Sequence, residues 1–358
     1  MLKKSFALVL VGATLVLTAC SGGADAAEGE GEGKRSVGIA MPTTSSTRWL
    51  SDGASMVDLF EAAGYTTDLQ YGEDDVDSQV SQIRGMIEDG VSLLVVAAID
   101  GQQLTGVLQQ AEDAQIPVIA YDRLVVGSEA VDYYASFDNL EVGRLQAQHL
   151  VDALVPDPAS PKTIELFAGS PDDNNSYAFL DGAMEVLQPH LDSGALVVRS
   201  GQTSMDQIST ERWDGATAAS RLESVLAANY SGTRLDAVLS PYDGMSRAII
   251  AALQAHGYGS SQPLPVVTGQ DAELESVRSI IAGEQSQTVF KDTRELARAT
   301  VQMSEAVLAG EEPVTTTVSD NDVKEVPADL LEPVGVDASN VQQVLVDSGY
   351  YTAEQLAG

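Results

Sequence analysis

A rhythm of short apolar runs constrains this chain more than any other feature. After residue 35 they come at 36–41 (SVGIAM), 92–99 (SLLVVAAI), 116–121 (IPVIAY), 163–168 (TIELFA), 195–199 (ALVVR), 235–240 (LDAVLS), 264–268 (LPVVT) and 287–290 (QTVF). Most are nearly continuous in apolar residues, the mark of strands buried on both faces. The segments between them repeat their apolar residues every three to four positions. Leu296, Thr300, Met303 and Val307, for example, fall on one helical face. Strands alternating with helices predict an α/β fold of parallel sheets covered on both sides. The halves 36–135 and 138–270 share the rhythm, so two similar lobes are expected. The tail 311–334 (EEPVTTTVSDNDVKEVPADLLEPV) has three prolines and no helical period, and reads as an extended crossing between lobes. SFDN (136–139) and GQDA (269–272) are the other two candidate crossings, and three crossings would form a hinge.

The first residues carry a location signal. Lys3 and Lys4 precede an apolar stretch from about Phe6 to Leu17, which is shorter than a membrane-spanning helix. It ends in Leu17-Thr18-Ala19-Cys20, and Cys20 is the only cysteine, so no internal disulfide is available to the fold. The stretch has the layout of a signal peptide (1–19), and its LTAC end resembles the lipobox of bacterial lipoproteins, which implies lipid attachment at Cys20. Residues 20–35, small, acidic and glycine-rich, read as a flexible tether. The expected location is outside the cytoplasmic membrane, anchored to its outer face. A net charge of −34 argues against nucleic acid, which needs a basic face. The same charge reads as a solvated, repulsive surface.

In open parallel α/β sheets, ligands bind beyond the carboxyl ends of the strands. The residues that follow each apolar run are therefore the candidates. Arg48 and Trp49 follow the first run, Asp122 and Arg123 the third, and Asn174 and Asn175 the fourth. Trp213 lies in the long loop after 195–199, Asp243 after 235–240, Gln270 and Asp271 after 264–268, and Lys291 after 287–290. None of these exits has a phosphate-cradling glycine loop. Carboxylates that accept, Arg, Lys and Asn that donate, and flat rings that stack are what a sugar requires. Trp49 and Trp213, the only tryptophans, fall one in each half and could close on the two faces of a pyranose. Taken alone, Asp122-Arg123 also reads as a helix cap or surface ion pair, and Lys291 as a surface lysine. Asp172 or Asp173 reads as the cap of the following helix.

Enzyme signatures are thin. His149, His190 and His256 have no zinc-site spacing, and no G-x-S-x-G elbow occurs. Asp320-Asn321-Asp322 lacks the remaining positions of a calcium loop. No metal, no cofactor and no catalytic residue is expected.

The blocks SVGIAMPTTSSTRW, VIAYDRL, FDNLEVGRLQA, LFAGSPDDNN, LSPYDG, VVTGQDAE and TVFKDTRELA, in that order from Ser36 onward, resemble the multiple-sugar and xylose-binding receptors, type I periplasmic binding proteins of ABC importers. The LTAC motif resembles a lipoprotein lipobox. The resemblance implies two Rossmann-like lobes joined by a three-segment hinge and closing on one monosaccharide, an aldose such as xylose, glucose, galactose or arabinose. It implies lobes of 36–136 plus 271–318 and 137–270 plus 319–358. It places Trp49 and Trp213 as stacking aromatics, and Arg48, Asp122, Arg123, Asn175, Asp243, Asp271 and Lys291 as polar sugar contacts. The implied partners are an ABC permease and a membrane sensor, with no enzymatic activity and a monomeric state.

Overall fold

The computed structural model describes residues 35–155 and 157–357. The expected signal peptide, Cys20 and the tether up to residue 34 lie outside these residues.

The chain begins with β1 (Ser36–Met41), α1 (Thr47–Ala62), β2 (Thr66–Tyr71), α2 (Val76–Glu88), β3 (Leu93–Val96), α3 (Thr105–Asp113), β4 (Val118–Tyr121) and β5 (Tyr133–Phe137). These five strands are parallel, in the order β2-β1-β3-β4-β5. β3 shows why so apolar a run must be a strand. Leu93 and Val95 pack with Met56, Phe60 and Leu296 on one face, while Leu94 and Val96 pack with Ile83, Met86 and Leu108 on the other. Burying such a side chain contributes about 2 kcal/mol, and only a sheet clad on both sides buries four in succession.

The second lobe follows with α4 (Asn139–Leu154), β6 (Lys162–Leu166), α5 (Asn174–Asp192), β7 (Leu196–Val197), α6 (Met205–Ile208), α7 (Gly215–Asn229), β8 (Ala237–Leu239), α8 (Asp243–Ala255), β9 (Val266–Val267), α9 (Leu274–Ala282) and β10 (Thr288–Phe290). Its parallel sheet runs β7-β6-β8-β9. β10 is joined beside β9 through the Gln270–Val289 bridge. The chain then returns to the first lobe, where α10 (Thr293–Ala309) packs on α1. β11 (Thr317–Asp320) and β12 (Glu325–Leu331) extend the first sheet, β12 lying parallel to β5. Finally β13 (Val334–Val336) pairs antiparallel with β10, and α11 (Ala353–Ala357) packs on α9.

The strand pairing moves two of the expected lobe boundaries. Residues 271–290 stay with the second lobe, because β10 pairs with β13 and α9 packs on α8. Residues 319–331 stay with the first, because β12 takes its register from β5. GQDA is therefore a strand exit within the second lobe and not a crossing. The chain crosses between β5 and α4, between β10 and α10, and between β12 and β13. Sheet membership is set by hydrogen-bond register, which composition does not encode. β2 and β5 are absent from the apolar runs: TTDLQY lies at the sheet edge with half-buried side chains, and YYASF is interrupted by Ser136.

At the start of the second lobe, α4 and α5 meet backbone to backbone. A Cβ at Gly143 would fall 2.0 Å from the Phe179 carbonyl oxygen, and one at Gly182 2.0 Å from that of Leu140. An ordinary helix position gains from Gly→Ala, so this site isolates the packing cost. Gly143→Ala is expected to destabilise by about 2 kcal/mol or more through overpacking. A thermal melt unchanged or raised by this substitution would contradict the close approach.

Candidate functional site

The strand exits of the two lobes face each other across a cavity of about 610 Å³. Eight of the nine candidate residues line it: Arg48, Trp49, Asp122, Arg123, Asn175, Trp213, Asp271 and Lys291. At its centre lies a cluster of charges drawn from both lobes.

Asp122 is the first residue beyond β4. Its backbone turns left-handed (φ 58°), which ends the strand and aims the side chain into the cleft. Three donors hold that conformation through the Asp122 carbonyl: the Tyr134 hydroxyl (2.7 Å), the Ser136 hydroxyl (2.8 Å) and Nδ2 of Asn175 (3.0 Å). Tyr134 and Ser136 stand on β5, whereas Asn175 comes from the other lobe. The Asp122 carboxylate, 2% exposed, accepts from Arg48 Nη2 at 2.5 Å and lies 3.7 Å from Lys291 Nζ. Burial pushes its pKa up, but the Arg48 and Lys291 charges outweigh burial and hold it at about 2. The carboxylate is therefore an ionised acceptor throughout the neutral range.

Arg48 sits in the first turn of α1. Besides Asp122 it approaches Asp271 Oδ1 of the second lobe (3.4 Å) and Asp52 Oδ2 one helical turn on (3.3 Å). Burial lowers its pKa, yet the three carboxylates raise it well above the ordinary value. Lys291, the residue after β10, is 2% exposed and lies 3.2 Å from Asp271 Oδ1. It is no surface lysine. A further contact between lobes is Arg123 Nε to Asp173 Oδ2 at 2.9 Å, and Arg123 also donates to the Ala98 carbonyl (3.1 Å). Asp173, not Asp172, caps α5 by accepting the Asn175 amide.

The tryptophans divide the work. Trp49 is buried, with the guanidinium groups of Arg48 and Arg123 over its ring at 4.7 and 5.2 Å from the centroid. It lines the cavity and also supports two donors. Trp213 is half-buried and meets Phe179 and Tyr242 edge-on, at 6.2 and 6.1 Å. Its ring lies against Gly169, where a Cβ would fall 2.0 Å from the indole. Arg212 and Trp213 are both left-handed (φ 54° and 57°), a backbone twist that turns the indole toward the cavity.

Asp243 departs from expectation, since it is fully buried and does not line the cavity. Its carboxylate accepts the Glu273 amide (2.8 Å), Nε2 of Gln285 (2.8 Å) and the Thr288 hydroxyl (3.1 Å), bracing the β9 and β10 exits from within. Its location after β8 is as expected; its side chain turns into the lobe. Sequence reasoning passed over Asp52, Tyr242, Arg247 and Phe179. The last three line the cavity; Tyr242 directly follows the 235–240 run, whereas Phe179 and Arg247 stand in the second turns of α5 and α8, where no strand exit marks them. Gln270, at the β9 exit, donates to the Pro241 carbonyl (3.0 Å) and keeps a buried Oε1 without a partner beside the cavity. Among the described residues no cluster suited to a metal ion occurs.

A sequence profile of the periplasmic binding protein domain matches residues 37–312. The chain belongs to the periplasmic binding proteins. This binding protein is 61% identical over 325 residues to the multiple sugar-binding periplasmic protein SbpA of Azospirillum brasilense, covering 90% of this chain and 91% of that one. It is 56% identical to the multiple sugar-binding periplasmic receptor ChvE of Rhizobium radiobacter, covering 90% and 92%. At 34% identity it is similar to the D-xylose-binding periplasmic protein of Escherichia coli, covering 89% and 92%. Among solved structures, an ABC transporter solute binding protein from Clostridium phytofermentans with bound β-D-glucose superposes with a TM-score of 0.86 at 43% identity. It covers 90% of this chain and all of that one. These relatives are binding proteins and receptors, not enzymes, and their fold is the two-lobed type I architecture.

The geometry of this binding protein sets a pH signature. Asp122, depressed to about 2, stabilises the fold above the ordinary carboxylate pKa, and that stability is lost as pH falls through 2. Asp122→Asn should cost about 3 kcal/mol at pH 7, because Arg48 and Lys291 lose a buried partner. The difference between wild type and variant should shrink between about pH 4 and 2. Denaturant melts at both ends of that range check it, and a cost independent of pH would refute the charge assignment.

Proposed function

We propose that this protein is an extracytoplasmic receptor for a monosaccharide, an aldose such as glucose, xylose, galactose or arabinose, which it delivers to an ABC importer. The observation that carries the reading is the interlobe cavity itself. One ionised acceptor and two buried cations from opposite lobes meet there beside two tryptophans. A sugar hydroxyl donates to Asp122 or Asp271 and accepts from Arg48, Arg123 or Lys291, so adjacent hydroxyls fit adjacent charges. The Trp213 face takes the apolar C–H side of the ring. Because the donors and acceptors sit on both lobes, the full set forms only when the lobes are shut, and sugar shifts the population toward closure. Water exclusion then strengthens each charged hydrogen bond.

The sugars named for the relatives favour this ligand class. The partners are a membrane permease and, given a relative named as a receptor, a sensor that reads the closed form. Lipid attachment at Cys20 is part of the same proposal, resting on the LTAC motif. A transport assay in a deletion strain separates import from signalling alone. Turnover of an oligosaccharide would instead make the protein an enzyme.

Isothermal calorimetry against a monosaccharide panel tests the reading. At least one neutral aldose should bind with one-to-one stoichiometry. Trp213→Ala should weaken that binding by about tenfold, equivalent to about 1.4 kcal/mol of stacking and burial. Gly169→Ala, which pushes the indole off its seat, should weaken binding in the same direction. Full affinity in both variants would remove Trp213 from the site.

A further inference from the structure

Behind the cavity lies a carboxylate that the sugar cannot touch. Asp52, on the second turn of α1, is fully buried; the Tyr121 and Thr293 hydroxyls approach it, but neither of its oxygens completes a hydrogen bond of good geometry. Its one close charge is Arg48 Nε at 3.3 Å. From β4 the buried Tyr121 hydroxyl faces it, and Asp122 stands beyond. Tyr71 approaches from β2, Thr293 from the start of α10, and Tyr350 from the C-terminal segment. Arg294 lies over the Tyr350 ring but is engaged by Asp292 at 2.6 Å. Asp271 and Lys291 of the second lobe lie on the far side of Arg48.

The charges in this cluster do not balance. Three carboxylates (Asp52, Asp122 and Asp271) face two cations (Arg48 and Lys291), and the neighbouring Arg123–Asp173 pair is neutral by itself. A buried excess charge is costly, and the group with the fewest partners is the one that neutralises by taking a proton. Asp122 and Asp271 each face both cations, whereas Asp52 has Arg48 alone. We propose that Asp52 is a positioning residue for Arg48 that takes up a proton as the lobes close, so that sugar binding is linked to proton binding. This rests on the sugar-receptor reading above. With Asp52 neutral, two cations face two carboxylates, and the Arg48 charge is directed forward to Asp122, Asp271 and the ligand.

The sign follows from the geometry. Closure brings Asp271 against Arg48 and keeps water from the cluster, which favours the uncharged form of Asp52. In the structure burial raises its pKa to about 7, with the opposing Arg48 charge too weak to restore it. Protonated Asp52 therefore favours the closed, sugar-bound form. Affinity is level at acidic pH and falls as pH rises through about 7, with a limit of about tenfold per pH unit for one proton.

D-glucose has no titrating group in this range, so calorimetry of glucose binding between pH 5.5 and 8.5 reads the protein alone. The expected result is binding about threefold or more weaker at pH 8 than at pH 6. Buffers of different ionisation enthalpy should report uptake of a fraction of a proton per sugar at pH 7. Asp52→Asn, the same shape without the charge, should bind glucose at pH 8 as the wild type does at pH 6, with no pH slope and no proton uptake. A wild-type slope retained in Asp52→Asn overturns the inference. If the variant does not fold, the wild-type buffer series decides by itself, and zero proton uptake at pH 7 overturns it. Another monosaccharide from the panel serves if glucose does not bind. Failure of every monosaccharide at every pH would overturn the receptor reading and this inference together, whereas pH-independent binding overturns this inference alone.

Discussion

The Arg48–Asp122 pair is the interaction on which the site depends. A buried guanidinium is tolerated only with acidic partners in place, and here they come from three directions. Asp122 is delivered by β4, Asp52 by the same helix, and Asp271 by the opposite lobe. Desolvating such a group costs more than a single Coulombic contact returns, so the pairing has to be multiple. Lys291 shares Asp122 and Asp271 with Arg48, and it too stands at a strand exit. The electrostatics of the closed cleft are thus completed only by joining the lobes. Sugar hydroxyls join a network whose charges are already arranged.

Backbone geometry is recruited to the same end. Of the ten left-handed non-glycine residues among those described, Gln115, Val155 and Asp322 lie elsewhere, and the other seven are Glu73, Asp74, Asp122, Arg212, Trp213, Asp271 and Ala272. These seven lie at strand exits or in the loops that reach the cavity. Each costs of order 1 kcal/mol or more and persists because neighbours over-determine it. At Asp122 the neighbours are the three donors on its carbonyl. At Asp271 the amide is bound by the Val289 carbonyl (2.8 Å), and the Ala272 amide by the Thr288 hydroxyl (3.1 Å). The strain keeps two acceptors aimed at one volume, so their positions do not have to be created when ligand arrives.

Asp122, Arg123, Asp271 and Lys291 were legible as cavity-lining residues because a buried parallel strand has a fixed exit, and the next side chain enters the cleft. The same rule failed at Asp243, where position beyond β8 was right but direction was not; a carboxylate with three internal donors turns into the lobe. Asp52 was invisible for a different reason. An acid four residues after an arginine reads as a surface pair, and it is the tertiary packing of β2, β4 and the start of α10 around α1 that buries it. The lobe boundaries near 271 and 318 were misjudged because β10, β12 and β13 are short, and register with partners far along the chain decides where they belong. Location along the chain was legible; orientation and long-range pairing were not.

The hinge and the site share residues, and this ties recognition to motion. Asn139, the first helical residue after the first crossing, donates to Oδ1 of Asn175 at 2.9 Å, and Asn175 donates onward to the Asp122 carbonyl at 3.0 Å. Lys291 is itself at the second crossing, between β10 and α10. Rotation of one lobe about these segments therefore shifts Asn175 and Lys291 relative to Asp122 without any intervening loop. A lever so short leaves little room for a partly closed state that keeps some contacts: opening that separates Asp271 from Arg48 also draws on Asn175 and Lys291. Closure is for that reason expected to be two-state, with the polar contacts made or lost together.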